Sequence, residues 1–301
     1  MSLLIIGTVA FDGIETPFGK VNKILGGSAT YIGISASYFT KKCNLISVVG
    51  DDFLEKDILL LKNHNINCDG LKIIENEKTF FWSGRYHENM NLRDTIETQL
   101  NVLEKFVPII PENYQNCTYL MLANLMPSIQ LDAIKKLNTK PKLIVTDTMN
   151  YWMDNCLKDL LDVIKYTDVL IINDEEALQL SKKNDLIESS EVILTMGPSF
   201  LIIKKGADGA ILFGENQMFT CPSFFVDKCV DPTGAGDTFA GAFIGHLHKS
   251  NDVSFDNMKS GVVKACAMAS FCVEDFGVNN ITHKDGKVIT SRIELLKLSV
   301  N

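Results

Sequence analysis

The residues best suited to chemistry stand together near the C-terminal end of the chain, in the run 231–243, DPTGAGDTFAGAF. A Pro-Thr-Gly turn precedes a helical pattern, so the backbone N–H groups of Gly234, Ala235 and Gly236 are expected at a helix N-terminus. Unpaired donors and the helix dipole act together there and attract anions. A neighbouring phosphate would repel the carboxylate of Asp237, unless that carboxylate takes a proton from the group attacking the phosphate. An anion cradle beside a base predicts phosphoryl transfer.

Other glycine-rich motifs fit this run less well. A dinucleotide fingerprint requires G-x-G-x-x-G, but the third residue after Gly236 is Phe239, which disfavours a dehydrogenase. The string G-x-x-x-x-G-K-[ST] of a Walker P-loop does not occur in the sequence. A glycine-rich helix start that only packs is the remaining alternative. The two aspartates that bracket the loop, Asp231 and Asp237, favour the functional interpretation.

The elements that must position this loop alternate along the chain. Short apolar runs typical of strands buried on both faces begin at the N-terminus, and helical spacings separate them after residue 119. The runs cover residues 3–6, 45–49, 119–122, 143–146, 169–172 and 200–203. Strands that alternate with helices predict a parallel α/β sheet, which binds ligands at the carboxyl ends of its strands.

Composition limits the class of protein. Of 301 residues, 46% are hydrophobic and 22% charged, as in a globular protein with a sizeable core. A net charge of −8 without any basic cluster argues against a nucleic-acid partner. No apolar run reaches the roughly 18 residues of a membrane span, and residues 2–7 lack the basic start of a signal peptide, so a cytoplasmic protein is expected. The eight cysteines form no C-x-x-C pair, which favours free thiols over zinc ligands or disulfides.

The run 231–244 resembles the C-terminal signature of the ribokinase/PfkB family of carbohydrate and nucleoside kinases over fourteen consecutive positions. The resemblance implies an α/β, ribokinase-like fold: a doubly wound, mostly parallel sheet flanked by helices, with a small β-sheet lid. It also implies a single kinase domain over residues 1–301, with lid segments at about 14–25 and 73–100. The alternating patterns of residues 71–74 and 79–86 fit exposed strands of such a lid.

The resemblance assigns a substrate site to residues of the N-terminal half. Asp12 lies just past the first buried strand, where the family's aspartate accepts hydrogen bonds from substrate hydroxyls; a turn-capping role is the alternative. Gly26 and Gly27 match the family's Gly-Gly motif and would let the backbone approach a ligand. Arg85, in the polar run 85–93, would recognise an acidic or phosphorylated substrate, or would belong to a solvated lid loop.

Tyr31 departs from the family pattern. Many sugar kinases of the family have an asparagine there that contacts sugar hydroxyls, so its absence argues against a ribose-like substrate. A tyrosine would stack on a ring or simply pack. The resemblance therefore places Tyr31 at the substrate site and leaves its function open.

The nucleotide side of the expected site rests on further matches. Asn173 and Glu176 match the family's N-x-x-E motif, associated with Mg²⁺ and phosphate placement, with Glu176 acting on Mg²⁺ through water. From physics alone, acidic residues in a first helical turn compensate the helix dipole. Thr233 is assigned to the nucleotide, and Asp231, supported by Thr233 and Gly277, is assigned to K⁺.

A second glycine pair lies between two expected strands. Gly206 and Gly209 form the turn of a strand–turn–strand pattern, which alone indicates only a turn. By resemblance they lie along the nucleotide, with Lys204 or Lys205 near its phosphates or ribose.

Together these residues predict an ATP- and Mg²⁺-dependent kinase that moves the γ-phosphate of ATP to a hydroxyl of a small sugar, with Asp237 as general base. A nucleoside kinase of the same family is the alternative, in which Tyr31, Phe81 and Trp82 would stack on a base. A non-catalytic sugar-binding sensor is a second alternative, against which the intact loop argues. The expected partners are the small substrate and ATP, without membrane or nucleic acid, and exposed apolar positions of the lid strands allow a homodimer through the lid.

Overall fold

The computed structural model describes residues 2–300; Met1 and Asn301, the ends of the predicted range 1–301, lie outside the described residues. The strands are β1 Leu3–Ile6, β2 Ala10–Thr16, β3 Gly19–Gly26, β4 Cys43–Gly50, β5 Ile66–Ile74, β6 Phe81–Tyr86, β7 Arg93–Gln99, β8 Tyr119–Leu122, β9 Leu143–Asp147, β10 Val169–Asn173, β11 Phe200–Lys204, β12 Ala210–Gly214 and β13 Gln217–Cys221.

Helices fill most of the intervals between these strands. They are α1 Ser28–Ser37, α2 Glu55–Asn63, α3 Pro127–Lys135, α4 Asn150–Asn155, α5 Leu157–Ile164, α6 Asp174–Ser181, α7 Leu186–Leu194, α8 Ala235–Ser250, α9 Phe255–Cys272, α10 Asn279–Thr282 and α11 Gly286–Leu298, with 3₁₀ turns at Asn101–Lys105, Glu112–Tyr114 and Gly206–Asp208. Within residues 2–300, no helix is both long and apolar enough to cross a membrane.

One large sheet has the strand order β13-β12-β11-β10-β9-β8-β1-β4-β5. Its strands run parallel from β11 to β5, and β12 and β13 add an antiparallel hairpin at one edge. The winding reverses at β1, which lies between β4 and β8. Open α/β sheets bind ligands beside such a reversal, at the carboxyl ends of the strands. The expected doubly wound, mostly parallel sheet is confirmed.

The large sheet is covered on both faces, which explains its continuous apolar strands. In β1, Leu3 and Ile5 pack in the cluster that contains α1, α8 and α9. Leu4 and Ile6 point the other way, into a cluster that includes residues of α3 and α5. All four side chains are fully buried. The core therefore lies in two layers, one on each side of the sheet.

A second, smaller sheet has the order β3-β2-β6-β7. In this sheet, β2 pairs antiparallel with β3 and parallel with β6, and β6 pairs antiparallel with β7. The second expected lid segment therefore starts later than residue 73, at β6. Ile73 and Ile74 end β5 of the large sheet instead, where they pair with β4. An alternating, half-exposed edge strand has the same sequence pattern as a lid strand.

Two faces of the small sheet differ in what they carry. Asp12 and Trp82 are register partners on β2 and β6 and so point to the same face. Tyr86, four residues after Trp82, shares this face, which we name the cleft face. Arg85 points to the opposite face, where its Nε donates to Glu15 Oε1 at 2.7 Å.

Helices α1 and α8 approach each other closely because α8 has glycines at the contact. An ideal Cβ added to Gly241 would lie 2.3 Å from the carbonyl oxygen of Ile32, and one added to Gly245 would lie 2.9 Å from that of Ala36. The Ser35 hydroxyl donates to the Thr238 carbonyl at 2.6 Å across the same contact. This packing fixes the N-terminus of α8 over the large sheet.

Replacing Gly241 by alanine should lower the free energy of unfolding by about 1–3 kcal/mol, because the new methyl group overlaps the backbone of α1. Gly286→Ala is the matched control, since a Cβ at Gly286 meets nothing within 4 Å. Urea unfolding of both variants measures the difference. Equal stabilities of the two variants would contradict the close helix contact.

Candidate active site

The run 231–237, here called the anion loop, joins an irregular segment to α8. Residues 222–232 contain no strand or helix. The N–H groups of Val230 and Asp231 donate to the carbonyl of Val273 at 2.7 and 3.3 Å, so the end of α9 holds this segment instead of a sheet. Gly234 caps α8 with a φ of 75°, a backbone conformation that favours glycine.

The start of α8 presents free backbone donors. The N–H groups of Gly234, Gly236 and Asp237 have no hydrogen-bond partner within residues 2–300. The structure differs from the sequence prediction at Ala235, whose N–H donates to the Pro232 carbonyl at 3.2 Å and is thus already engaged. The remaining donors and the helix dipole form a site for an anion.

Asp237 carries a buried oxygen without a partner. Its Oδ1 makes no hydrogen bond with any of residues 2–300. Burial and the charges of Asp147 and Asp12 raise the pKa of Asp237 to about 8, against the opposing effect of the Lys204 ammonium. A carboxyl group whose pKa lies near neutral pH is suited to accept a proton.

Lys204 is the cation at the centre of the site. Its Nζ lies 3.2 Å from Asp147 Oδ1, and both side chains are largely buried. Burial alone would lower the pKa of Lys204, but the carboxylates of Asp147, Glu176 and Asp237 raise it above its ordinary value. A Cβ added to Gly236 would lie 2.9 Å from this Nζ, so Lys204 lies directly beside the anion loop. Asp147 ends β9 and was not among the residues predicted for the site.

Asn173 and Glu176 form a capping box at the start of α6. Asn173 Oδ1 accepts from the N–H of Glu176, and Glu176 Oε2 accepts from the N–H of Asn173, both at 2.7 Å. This box gives the motif a structural role and leaves the second oxygen of Glu176 for other contacts. Burial, partly offset by Lys204, raises the pKa of Glu176 to about 7.

Asp12 and the Gly26–Gly27 pair lie together. A Cβ at Gly26 would fall 1.9 Å from Asp12 Oδ2, and one at Gly27 would fall 2.6 Å from the Thr8 carbonyl, so only glycine fits at either position. Burial and the charge of Asp231 raise the pKa of Asp12 to about 7, while the amide of Gly27 opposes this shift. The structure thus groups three of the predicted substrate residues.

Tyr31 does not line an open pocket. Its ring lies under the anion loop, where a Cβ at Gly234 would come within 2.4–2.5 Å of three ring carbons. The side chain is 1% exposed, and its hydroxyl has no hydrogen-bond partner within residues 2–300. Of the two alternatives from the sequence, the structure shows packing, because Tyr31 fills the space below the glycine of the loop.

Arg85 lies on the face of the small sheet that is opposite to Asp12. It pairs with Glu15 on the face opposite the cleft face, because strand residues alternate in direction. Tyr86, the next residue, faces the site and accepts a hydrogen bond from Thr233 Oγ1 at 3.1 Å. Arg93 on β7 is close enough to lower the pKa of Glu176. The period of two in β6 was the signal that could have identified Tyr86.

Gly206 and Gly209 allow backbone conformations with positive φ between β11 and β12. Their φ angles are 54° and 88°. A Cβ at Gly209 would lie 2.0 Å from the Cys221 carbonyl, so this glycine is required for packing against β13. Gly206 lies beside the turn between β6 and β7, where a Cβ would be 3.2 Å from Asn91 Oδ1.

Asp231, Thr233 and Gly277 meet as the sequence predicted. Asp231 is fully buried; its Oδ1 accepts from the N–H of Thr233 at 2.9 Å and its Oδ2 from the N–H of Gly277 at 3.0 Å. Burial raises the pKa of Asp231, and these donors lower it. Both oxygens are engaged in bonds that brace the anion loop.

The charges of the site fit a magnesium–nucleotide complex. Asp147, Glu176 and Asp237 surround the single ammonium of Lys204, which leaves an excess of negative charge. Within residues 2–300 no group of three or more acidic, His or Cys side chains could hold a metal alone. Mg²⁺ is commonly held by one or two carboxylates together with phosphates and water. Asp147 and Glu176 fit that number of protein ligands.

Replacing Asp237 by asparagine should stabilise the nucleotide-free protein as the pH rises. Because the folded pKa of about 8 exceeds the ordinary 3.8, the stabilising effect of the protonated group is lost as the pH rises toward 8. The neutral amide avoids this loss, so the variant should gain on the order of 1–3 kcal/mol over the wild type at alkaline pH. Urea unfolding between about pH 4 and 9 tests this; parallel curves would refute it.

Comparisons with known proteins agree with this geometry. The family model described as pfkB family carbohydrate kinase matches residues 6–285. The chain is 27% identical to the cytidine kinase of Thermococcus kodakarensis over 81% of this chain and 87% of that protein. It is 26% identical to the nucleoside kinase of Methanocaldococcus jannaschii over 88% and 83%. A putative ribokinase II from E. coli, solved in complex with ATP and Mg²⁺, has the same fold, with a TM-score of 0.80 at 21% identity over 98% and 99% of the two chains. The chain belongs to the pfkB family of carbohydrate kinases and is a phosphotransferase.

Proposed function

We propose that this protein transfers the γ-phosphate of ATP to a hydroxyl of a small polyol, with Asp237 as general base. One observation carries the proposal: a partly buried carboxylate with an unpaired oxygen and a pKa of about 8 stands beside free amides at a helix N-terminus. The amides attract phosphate, and the carboxylate suits proton abstraction from the attacking hydroxyl. A solvated or purely structural aspartate would need neither feature.

Each of the other site residues has its own role in the proposed reaction. The acceptor O–H proton moves to Asp237, the acceptor oxygen bonds to the γ-phosphorus, and the bond from that phosphorus to ADP breaks. Lys204 and the N–H groups of Gly236 and Asp237 stabilise negative charge on the transferring group. Asp147 and Glu176 would hold Mg²⁺, in part through water, and the ion would neutralise phosphate charge. Asp12 accepts hydrogen bonds from other hydroxyls of the acceptor.

A nucleoside is the acceptor that the cleft face supports best. Trp82 shares this face with Asp12, and its ring lies across Gly84, where a Cβ would be 2.4 Å from the ring. The Arg93 guanidinium lies 5.9 Å from the centre of the same ring. An aromatic surface beside a hydroxyl-binding carboxylate suits a base attached to a sugar. The similar proteins from T. kodakarensis and M. jannaschii are a cytidine kinase and a nucleoside kinase.

A free sugar is the second candidate, because Asp12 and the Gly26–Gly27 backbone bind hydroxyls without requiring a base. K⁺ is proposed to support the anion loop through the carboxylate of Asp231 and nearby carbonyls. A cytoplasmic location and a homodimer through the small sheet remain predictions. Exposed Leu92 and Ile96 beside and on β7 supply apolar surface for such contact.

Turnover should depend on the ionisation of Asp237. As a base, Asp237 must be deprotonated, so kcat/KM of the wild type should rise with pH and level off above about 8. Asp237→Asn should lower kcat by about 10²–10⁴-fold, because it removes the general base. Its affinity for a non-hydrolysable ATP analogue should stay within a few-fold of wild type, which serves as the folding control. Near-wild-type turnover of the variant would overturn the assignment.

Two measurements distinguish the classes of acceptor: turnover with a panel of acceptors, and the effect of replacing Trp82. ATP consumption is measured with nucleosides, free sugars and sugar phosphates, with Mg²⁺ and with or without K⁺. We expect nucleosides to react best, and Trp82→Leu to raise their KM by about tenfold, as expected for the loss of 1–2 kcal/mol of stacking. Trp82→Phe keeps an aromatic face and should retain most of this affinity. Efficient turnover of free sugars, unchanged in Trp82→Leu, would favour the sugar candidate.

A further inference from the structure

Tyr86 links the small sheet to the anion loop. It ends β6 on the cleft face, is 6% exposed, and accepts a hydrogen bond from Thr233 Oγ1 at 3.1 Å. Other residues of the small sheet and its turns contact parts of the chain outside the anion loop. Gly19 lies against the ring of Phe276, and Asn91 lies beside Gly206. Tyr86 therefore joins this sheet directly to the loop that begins α8.

Thr233 is held on several sides, and Tyr86 supplies the contact from the small sheet. The N–H of Thr233 donates to Asp231 Oδ1 at 2.9 Å, and the carbonyl of Thr233 accepts from the thiol of Cys272 at 3.4 Å. The next residue, Gly234, turns the chain into α8 with a φ of 75°. The conformation of Thr233 thus sets the direction in which the first free amides of α8 point.

The phenol of Tyr86 is suited to this contact over a wide pH range. Burial raises its pKa to about 12, so it stays neutral wherever the kinase works. Because its oxygen accepts from Thr233, its own hydrogen is left to donate into the cleft. A neutral hydroxyl avoids adding charge beside Asp12 and Asp231, which both act on its pKa.

We propose that Tyr86 is a positioning residue: its hydrogen bond to Thr233 aligns the anion loop for phosphoryl transfer only when the small sheet is docked on the site. This inference rests on the proposed kinase reaction. Acceptor bound to Asp12 on the cleft face, with its reacting hydroxyl at the anion loop, would hold the small sheet in place, and the sheet would then hold Thr233. Tyr86 would thereby couple acceptor binding to the geometry of the amides that receive the phosphate.

Steady-state kinetics of Tyr86→Phe, Thr233→Val and the double variant test the coupling. We expect each single variant to lower kcat by about tenfold, the size expected for one hydrogen bond in an aligned site, with ATP-analogue affinity within about twofold of wild type. The double variant should be no slower than either single variant, because both remove the same bond. Tyr119→Phe is the matched control; it removes a phenol that bonds to Asn251 Oδ1 at the opposite edge of the sheet. Additive losses in the double variant, or unchanged kcat in Tyr86→Phe, would overturn the proposal.

Hydrogen exchange gives a readout that does not require turnover. With an ATP analogue bound, amides of β6 and β7 should exchange several-fold faster in Tyr86→Phe than in the wild type, and at the wild-type rate in Tyr119→Phe. If the wild type consumed no ATP with any acceptor, the proposed function would fail, and the exchange result would still decide whether Tyr86 docks the sheet. Equal exchange in all three proteins would refute the docking role.

Discussion

Negative charge at the carboxyl edge of the large sheet is the constraint on which the site depends. Asp147, Glu176 and Asp237 come from three different elements and converge on one ammonium, that of Lys204. Burial makes each unpaired charge costly, and the raised pKa values of Glu176 and Asp237 express that cost. Burial of these carboxyl groups favours a ligand that brings positive charge to the site. In the proposed reaction, the cation bound with the phosphates would supply that charge.

Close backbone packing makes that convergence possible. Gly241 brings α8 against α1, and Tyr31 of α1 fills the space below Gly234. The same helix pair therefore supports the loop from beneath while its free amides face the cleft. The small sheet approaches from the other side through Tyr86 and Thr233. The anion loop is thus contacted by helix α1 on one side and by the small sheet on the other.

Local patterns allowed much of this to be predicted from the sequence. Continuous apolar runs indicated the strands of the covered sheet, and the run 231–243 indicated the donors and the base. The errors have a common physical origin in contacts between distant residues. The pairing of Lys204 with Asp147 spans 57 positions, and no local pattern encodes it. Successive side chains of a strand point to opposite faces, so the pairing of the strands decides that Tyr86, and not the predicted Arg85, faces the site. The sequence also could not show that the anion loop lies directly above the ring of Tyr31.

Helix α8 runs from the carboxyl ends of the strands of the large sheet to their amino ends. Its first residues belong to the anion loop, and its C-cap residue, Asn251, accepts hydrogen bonds from Lys142 and Tyr119 at the amino edge. Each residue added to a helix rotates the rest of that helix by about 100°. A single insertion within these 16 residues would rotate Asp237 away from Lys204 or separate Asn251 from its partners. In this chain, a change of loop length would therefore be tolerated more readily than a change in the length of α8, because this helix sets the distance between the anion loop and Asn251.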